Sequence, residues 1–560
     1  MKRDLAALAG RRWDLLVVGG GIHGAFVARE AARRGLSTAV VERGDFASET
    51  SSRSQKIVHS GLRYLQHGDF IRLRESVRER TAFLAMAPHL VRLMPVLVPA
   101  YGHGRRGPEL LRLALFLHDL AGLDRNRALP PGTKIPRGRV VGAGECRRLF
   151  PDVDTAGLTG GALWYDAQVS DTERFIMALL HDASAHGAGL ANYVEVTGLE
   201  LQGGRVTGAR ARDLREGRDL DLRAQVVVNA AGPWIGRICS LAGVAPPGPA
   251  MLSRAVVLVV GRSLVGETAV GLPGKSLYRD PDVVLPRSER LFFVTPWEGH
   301  TLVGSAHLPF DGDPDSCAVS DGEIDQLLAE VNSACPAWAL GRNDVTRVYH
   351  GLLPTVGIDA ASGSVQVEKK QRVRDHGRVD GTAGLVSVLG VKYTTARVAA
   401  LRAVALAEGI LGRRSPGDDR PAPVWGGEGG GVEELFGKVR EADRPPVDDE
   451  VLRRLLGAYG SAWTEVRSLI EEDPALGGRV VPSAPVIGAE IVHALREEMA
   501  FGLDDLILRR TGLGSAGHPG LPLLERCADI AARELRWDGA ERGRQIARAE
   551  EALGPGPGHP

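Results

Sequence analysis

Residues 14–42 read Asp14-Leu-Leu-Val-Val-Gly19-Gly20-Gly21-Ile22-His23-Gly24, then a helical pattern over 25–34, Gly35, and a second β-branched run, Thr38–Val41, that ends in Glu42. Each part of this stretch has a physical task. Gly19 allows the tight bend after the apolar run, Gly21 lets the backbone approach a pyrophosphate, and Gly24 lets helix and strand pack closely. The phosphates of a dinucleotide sit at the helix N-terminus, where unpaired N–H groups and the helix dipole favour an anion. Glu42, about 20 residues after the glycines, suits hydrogen bonds from a ribose. A glycine-rich turn alone says little. Strand, glycines, helix, strand and terminal acid in register predict an α/β, Rossmann-like nucleotide-binding domain. The fingerprint leaves FAD and NAD open.

The next segment, Thr50-Ser51-Ser52-Arg53-Ser54-Gln55-Lys56-Ile57-Val58-His59-Ser60-Gly61-Leu62-Arg63-Tyr64-Leu65, is a hydroxyl-rich turn running into a basic, glycine-containing element. Hydroxyls and backbone amides suit a second contact to a pyrophosphate or a ribityl chain; the same turn also reads as a helix cap. Residues 219–228 lead into Asn229-Ala-Ala231-Gly232-Pro-Trp234, a buried strand, a glycine turn and a new helix. Such a turn is where the carboxyl edge of a parallel sheet meets a ligand. Residues 384–389 form another apolar strand, and Gly390-Val-Lys392-Tyr-Thr394-Thr395 follows as a glycine turn with Thr394 or Thr395 capping a helix.

At 560 residues the chain exceeds what one hydrophobic core usually serves, so two or three domains are expected. Lys and Arg number 69 against 69 Asp and Glu, a formal net charge of zero. Nucleic-acid binders carry a basic excess, so no nucleic-acid partner is expected. The five cysteines, Cys146, Cys239, Cys317, Cys335 and Cys527, never fall in C-x-x-C spacing. They read as free thiols in a reducing compartment, with no metal site. The first residues hold too short an apolar stretch for a signal peptide, and no run of 18 apolar residues occurs. The expected location is the cytoplasm, with any membrane contact made peripherally, at the inner face.

Residues 191–201 and 204–212 read as strands, and Ser170 or Asp171 caps a helix. Residues 251–310 alternate apolar and polar and predict an antiparallel sheet apart from the nucleotide domain, where the substrate is placed. Glu109-Leu-Leu-Arg-Leu-Ala-Leu-Phe-Leu-His-Asp-Leu120 is a helix apolar nearly all round, preceded by Arg105 and Arg106. It is read as buried beside the substrate cavity; the alternative is a helix lying on lipid. Glycines and prolines mark 411–432 as a linker, and 452–456, 466–470, 490–499 and 523–535 read as helices. The expected organisation is an oxidoreductase domain over 12–410, with nucleotide-binding parts at about 12–85, 150–250 and 345–410 and substrate parts at about 86–149 and 251–344. A helical C-terminal domain over 433–550 and a disordered tail over 551–560 complete it.

The Gly-Gly-Gly-Ile-His-Gly turn together with residues 50–65 resembles the N-terminal signature of the FAD-dependent glycerol-3-phosphate dehydrogenase family, within the flavin oxidoreductase group that includes D-amino-acid oxidases. Asn229–Trp234 is similar to that family's second FAD-contacting turn. Residues 384–397 are similar to its helix facing the flavin pyrimidine, whose dipole stabilises negative charge on the reduced ring. Residues 496–514 are similar to its helical C-terminal domain. The resemblance implies FAD contacts at Gly19, Gly20, Gly21, Ile22, His23, Gly24, Glu42, Arg43, Thr50, Ser51, Ser52, His59, Val194, Ala231, Gly232, Gly390, Lys392 and Thr394. It also implies oxidation of sn-glycerol 3-phosphate to dihydroxyacetone phosphate by hydride transfer to flavin N5, with electrons passed to a quinone or other acceptor. A homodimer is compatible with it.

Such chemistry needs guanidinium donors for phosphate and a base within reach of the hydroxyl. Arg63 matches the family's phosphate arginine and Lys392 its lysine near the flavin; Lys370 stands where the family often has arginine, which weakens bidentate recognition. His59 reads equally as a flavin neighbour or a helix-packing residue. Two departures stand out. Leu353, in Gly351-Leu-Leu-Pro354, replaces the arginine of Gly-x-Arg-Pro, and Ala255 replaces a strand histidine. Arg254, one position away, points to the opposite face of a strand. His307, in Ser305-Ala306-His307, is a new base candidate or an exposed sheet histidine. The catalytic set is therefore Lys392, Arg63 and His307, with Arg63, Lys370 and Lys392 binding substrate. Leu353 and Ala255 keep open an oxidoreductase for another polyol, hydroxy acid or amine. A flavin-containing RNA-modifying or interaction protein is disfavoured by the zero net charge.

Overall fold

The computed structural model describes residues 1–104, 107–129, 133–249, 251–277, 289–359, 365–413, 419–442 and 446–554. Its contacts gather into two units: Met1–Ser52, Asp171–Ala250 and Glu368–Gly554 form the first, Arg53–Ser170 and Met251–Val367 the second.

In the first unit the Arg12–Val18 strand runs parallel to Thr38–Val41 on one side and Asp219–Asn229 on the other. Gly189–Ala191 extends the sheet beyond Thr38–Val41 and Leu385–Leu389 beyond Asp219–Asn229, both again parallel. Leu15, Leu16, Val17 and Val18 are all buried, as a sheet covered on both faces requires. Chain order reverses beside the central strand, which makes a crevice at the carboxyl edge the natural ligand position. The strands expected at 191–201 and 204–212 are Val194–Gln202 and Arg205–Asp213, an antiparallel pair added to Asp219–Asn229. Asp171 caps Thr172–Ala185 by accepting from the N–H of Arg174.

The C-terminal part of this unit is helical. Asp449–Tyr459, Trp463–Glu472, Gly488–Glu497, Leu521–Leu535 and Gly539–Leu553 close on a core that includes Leu455, Leu456, Ile491, Leu506 and Leu524. The helix expected at 490–499 stops at Glu497, because Met499 takes a φ of 52°. Residues 551–553, expected in the disordered tail, are the last turn of a helix whose Leu553 is buried; 555–560 lie outside the described residues.

The second unit is built on a sheet ordered Val345–Ile358, Leu252–Val260, His300–Phe310, Glu289–Trp297, Ala269–Leu277, Val91–Tyr101, Leu158–Val169. It is antiparallel as the alternation predicts, except that Ala269–Leu277 pairs parallel with Val91–Tyr101. Val256, Leu258 and Val260 point to one face, into a core with Leu327, Leu328 and Val331 of the Asp321–Ala334 helix. Segments 53–85, 150–170 and 345–367, which the sequence assigns to nucleotide binding, pack in this unit. Strand pairing explains this: Ile57–Val58 pairs with Leu158–Val169, and Val345–Ile358 with Leu252–Val260.

One expectation fails here. Pro108–Ala121 is a helix, but Leu115 and His118 are its buried residues, while Phe116 is 64% exposed and Leu120 54%. Leu123, just beyond it, and Ile71, at the start of the Phe70–Met86 helix, are 71% and 82% exposed. An all-round apolar helix can pack only the side that meets a neighbour, and this one leaves a stripe of large apolar side chains uncovered. No helix among the described residues is long and apolar enough to cross a membrane.

Candidate active site

In the first unit the glycine turn is required by close approach. A Cβ on Gly24 would lie 1.9 Å from the carbonyl oxygen of Gly19, so any larger residue would push helix from strand. Gly19 has a φ of 113°, and a Cβ there would lie 2.5 Å from the carbonyl of Ala230, which brings the Ala231–Gly232 turn against the glycine loop. Gly232 itself takes a φ of 54°. The Ile22–Arg33 helix starts at Gly21, which has no side chain to cap it. The N–H of Ile22 is taken instead by Ser51 Oγ at 3.0 Å. A helix N-terminus bordered by glycines and a hydroxyl, with no anionic side chain capping it, fits a pyrophosphate.

Glu42 closes the other side. Its two carboxylate oxygens accept the N–H groups of Gly20 at 2.6 Å and Gly44 at 2.8 Å. Burial pushes this carboxyl up, against the pull of those two N–H donors. Each oxygen keeps lone pairs with which a ribose hydroxyl can bond. The N–H of Val194 donates to the carbonyl of Glu42 at 2.8 Å, the Arg43 guanidinium stands 4.6 Å over the Trp234 ring, and Ser52 Oγ donates to the carbonyl of Glu49. Thr50 lies in the same turn.

His23 packs where Gly390 leaves room: a Cβ at 390 would be 2.0 Å from the imidazole. Burial pushes the His23 imidazole down to about 4, so it is neutral near pH 7. Lys392 follows on the same turn and is half-buried. The helix after it is Ala396–Leu411, with Thr395 at the cap position; Thr395 makes no capping hydrogen bond, and Thr394 is buried one residue earlier. The threonine cap expected from sequence is therefore absent, which leaves the N–H groups of this helix uncapped by its own side chain. Lys370 belongs to this unit too: its side chain is exposed, and its backbone N–H donates to Glu368.

In the second unit the polar centre is His59. Its Nδ1 lies 3.1 Å from Asp166 Oδ2, while Asp166 Oδ1 accepts the N–H of Ser60 at 2.8 Å and Trp164 Nε1–H at 3.2 Å. Burial would raise the Asp166 carboxyl, but His59 and Ser60 outweigh it and hold the group at about 2. A buried carboxylate at Nδ1 fixes the ring proton there and leaves Nε2 as the proton acceptor. The ring is half-exposed and stands 5.4 Å from the Phe293 ring. His59 lies between the Ile57–Val58 strand and a 3-10 turn. Sequence reading does not single out Asp166, although an acid inside the apolar run Leu163-Trp-Tyr-Asp-Ala is a signal.

Strand register brings the departures together. Ala255 pairs with His307 on one side and Gly351 on the other, and Ser253 pairs with Leu353. All occupy the face opposite the Val256–Val260 core. His307 Nε2 lies 3.3 Å from Ser305 Oγ, its same-face neighbour. Arg254 points the other way, as expected, to Glu323 and the carbonyl of Ala318. Lys56, which sequence reading leaves without a role, is buried with its ammonium 5.0 Å over Trp297 and 5.7 Å over Tyr349. Arg63, in the Leu62–His67 3-10 turn, is exposed.

A family model described as FAD dependent oxidoreductase matches residues 14–400, and one described as the C-terminal domain of alpha-glycerophosphate oxidase matches 420–542. A glycerol-3-phosphate dehydrogenase of Synechocystis sp. is 31% identical over 98% of this chain and 98% of its own. Glycerol-3-phosphate dehydrogenase 2 of Mycobacterium tuberculosis is also 31% identical, over 96% of this chain and 88% of its own. Among solved structures, the glycerol-3-phosphate dehydrogenase of Bacillus halodurans complexed with FAD superposes with a TM-score of 0.73 at 24% identity, covering 98% of this chain and 96% of that one, a likeness of fold.

Proposed function

From a chain that belongs to the FAD-dependent glycerol-3-phosphate dehydrogenase family, with an oxidoreductase domain and the C-terminal domain both matched, we propose an enzyme that oxidises sn-glycerol 3-phosphate to dihydroxyacetone phosphate. FAD, when bound, supplies the hydride acceptor. The Gly19–Gly24 turn and the Ile22 helix N-terminus hold its pyrophosphate, and Glu42 its ribose. The observation that carries the chemistry is the His59–Asp166 pair at 3.1 Å. His59 Nε2 takes the proton of the substrate hydroxyl as hydride leaves the same carbon, and Asp166 stabilises the imidazolium that forms. Lys392 offers positive charge where negative charge develops on reduction. Arg63 is the guanidinium offered to the phosphate, and His307 supplies from the neighbouring strand the imidazole that Ala255 lacks. His59 thus replaces His307 as the base.

The test is anaerobic bleaching of the oxidised flavin spectrum by a substrate panel. Glycerol 3-phosphate should bleach it at concentrations where glycerol, lactate and glycine do not. Bleaching by one of these others alone would favour the second reading, an oxidoreductase for another polyol, hydroxy acid or amine, which Leu353 and Ala255 motivate. Electrons then pass to a quinone or other acceptor. Supporting a lipid-borne acceptor is the exposed stripe of Phe116, Leu120 and Leu123, with the exposed Arg112 and Arg127 nearby in sequence. Vesicles of anionic phospholipid should capture the protein in flotation, and the double variant Phe116→Ser, Leu123→Ser should stay behind; equal flotation of both would remove the membrane from the proposal.

A further inference from the structure

Between Glu42 and Ser52 the first unit has no strand or helix, yet this loop carries Glu42, Arg43 and Ser51. Three residues past Glu42, Asp45 is buried, and four N–H donors converge on its carboxylate. Asn192 Nδ2 donates at 2.8 Å, Arg509 Nε at 2.6 Å, and Arg510 gives two parallel bonds at 2.8 Å each. Both arginines belong to the C-terminal helical part, more than 460 residues along the chain. Consecutive residues of an α-helix point about 100° apart and do not share one acceptor easily. Here Leu506–Arg510 is a single π turn, closed by the N–H of Thr511 on the carbonyl of Leu506, and it delivers both guanidinium groups to Asp45. Such turns recur at functional sites. The arrangement is braced: Arg510 also donates to the carbonyl of Glu498, Arg509 to Asp504 and Asp505, and Asp505 accepts from Tyr193 beside the loop.

On the other side of Asp45, Phe46 lies where a Cβ on Gly20 would fall, 2.5 Å away, and the N–H of Ala47 donates to the carbonyl of Gly20. The residue gripped by the two arginines is therefore directly attached to residues that touch the glycine turn. A loop without regular structure loses much backbone freedom when ordered. A carboxylate buried with two cations and four donors holds it strongly, because releasing it would leave charges unpaired in a dry interior.

We propose that Arg509 and Arg510 are positioning residues for FAD: the C-terminal helical part fixes the 42–52 loop in its nucleotide-binding shape before FAD arrives. Neither arginine needs to touch FAD or substrate. Their effect is on the fraction of molecules competent to bind it, and apparent affinity scales with that fraction.

The experiment titrates FAD into apoprotein, following flavin fluorescence, for wild type, Asp45→Asn, Arg510→Lys and Leu524→Ala, the last a core change in the same helical part, outside both the loop and the π turn. If the competent fraction falls to about one in ten, Asp45→Asn and Arg510→Lys raise the dissociation constant about tenfold. In the same variants kcat at saturating FAD should stay within about twofold of wild type, because the reacting atoms are untouched. Leu524→Ala should lower Tm without moving the dissociation constant. Wild-type affinity in Asp45→Asn would overturn the proposal, as would equal losses in all three variants, which would mark general destabilisation. Should the two loop variants fail to fold, amide exchange of the wild-type apoprotein in mild urea decides. Residues 43–52 and 503–511 should open together; independent opening would overturn it.

Discussion

The nucleotide cradle of the first unit is assembled largely from backbone, whereas the polar face of the second is assembled from side chains that strand pairing brings together. In the cradle, Gly19, Gly24 and Gly390 are set by what a Cβ would strike, and the N–H groups of Ile22, Gly20 and Gly44 hold Ser51 and Glu42 in place. On the sheet, His59 depends on Asp166, which lies 107 positions away, and Ala255 meets His307 and Gly351 only through register. Backbone chemistry is local and leaves a contiguous trace. Side-chain chemistry across a sheet is non-local and leaves almost none.

Gly24→Ala should produce the largest effect. Its methyl would sit 1.9 Å from a backbone oxygen that cannot move aside, so helix and strand must separate. Overpacking of this kind costs about 3 kcal/mol, and the purified protein should lose nearly all its FAD. Gly543→Ala, in the Gly539–Leu553 helix with nothing within 4 Å, should leave FAD content unchanged and raise Tm slightly. FAD retention in Gly24→Ala would break the claim that close approach dictates the cradle.

Lys392→Ala should keep FAD and slow its reduction about 100-fold, the usual scale for losing one group that stabilises developing charge; stopped-flow bleaching measures it. Arg63→Ala should chiefly raise KM, about tenfold, if its part is uniform binding of an anion. Leu353→Arg sharpens the substrate side: with glycerol 3-phosphate as native substrate, a new cation on that face should harm or leave activity unchanged. A gain on glycerol 3-phosphate would instead point to a substrate without phosphate.

The last expected effect is in pH dependence, and it involves both regions. His23 in the cradle and His350 in the sheet unit are each pushed down to about 4, first by burial, with Arg53, Arg254 and Arg347 adding to the effect at His350. Both stay neutral in the folded protein while the unfolded chain takes up protons near pH 6.5. Folding stability should therefore fall as pH drops from about 6.5 towards 4, by at most about 1.4 kcal/mol per pH unit for each group. Tm against pH should flatten in His23→Gln; an unchanged slope would mean that this ring takes up its proton in the fold.

Sequence reading reaches far into the first unit because its strands are buried on both faces and therefore read as unbroken apolar runs, such as Leu15–Val18. It stops short elsewhere for physical reasons. Asp166 looks like an ordinary polar interruption until its ring partner is known. Arg509 and Arg510 go unremarked, since nothing local marks a π turn or the acid it grips. The Pro108–Ala121 helix reads as buried because composition records how apolar a helix is, not how many neighbours it has. Leu353 and Ala255 were visible one by one, but not as sharing a sheet face with His307.

The most direct test of the account compares anaerobic flavin reduction by glycerol 3-phosphate in wild type and His59→Asn, with FAD content measured in both. Asparagine keeps a polar group beside Asp166 but cannot accept the proton. The account predicts unchanged FAD content and a limiting reduction rate lower by about 100-fold or more. An unchanged rate would contradict it.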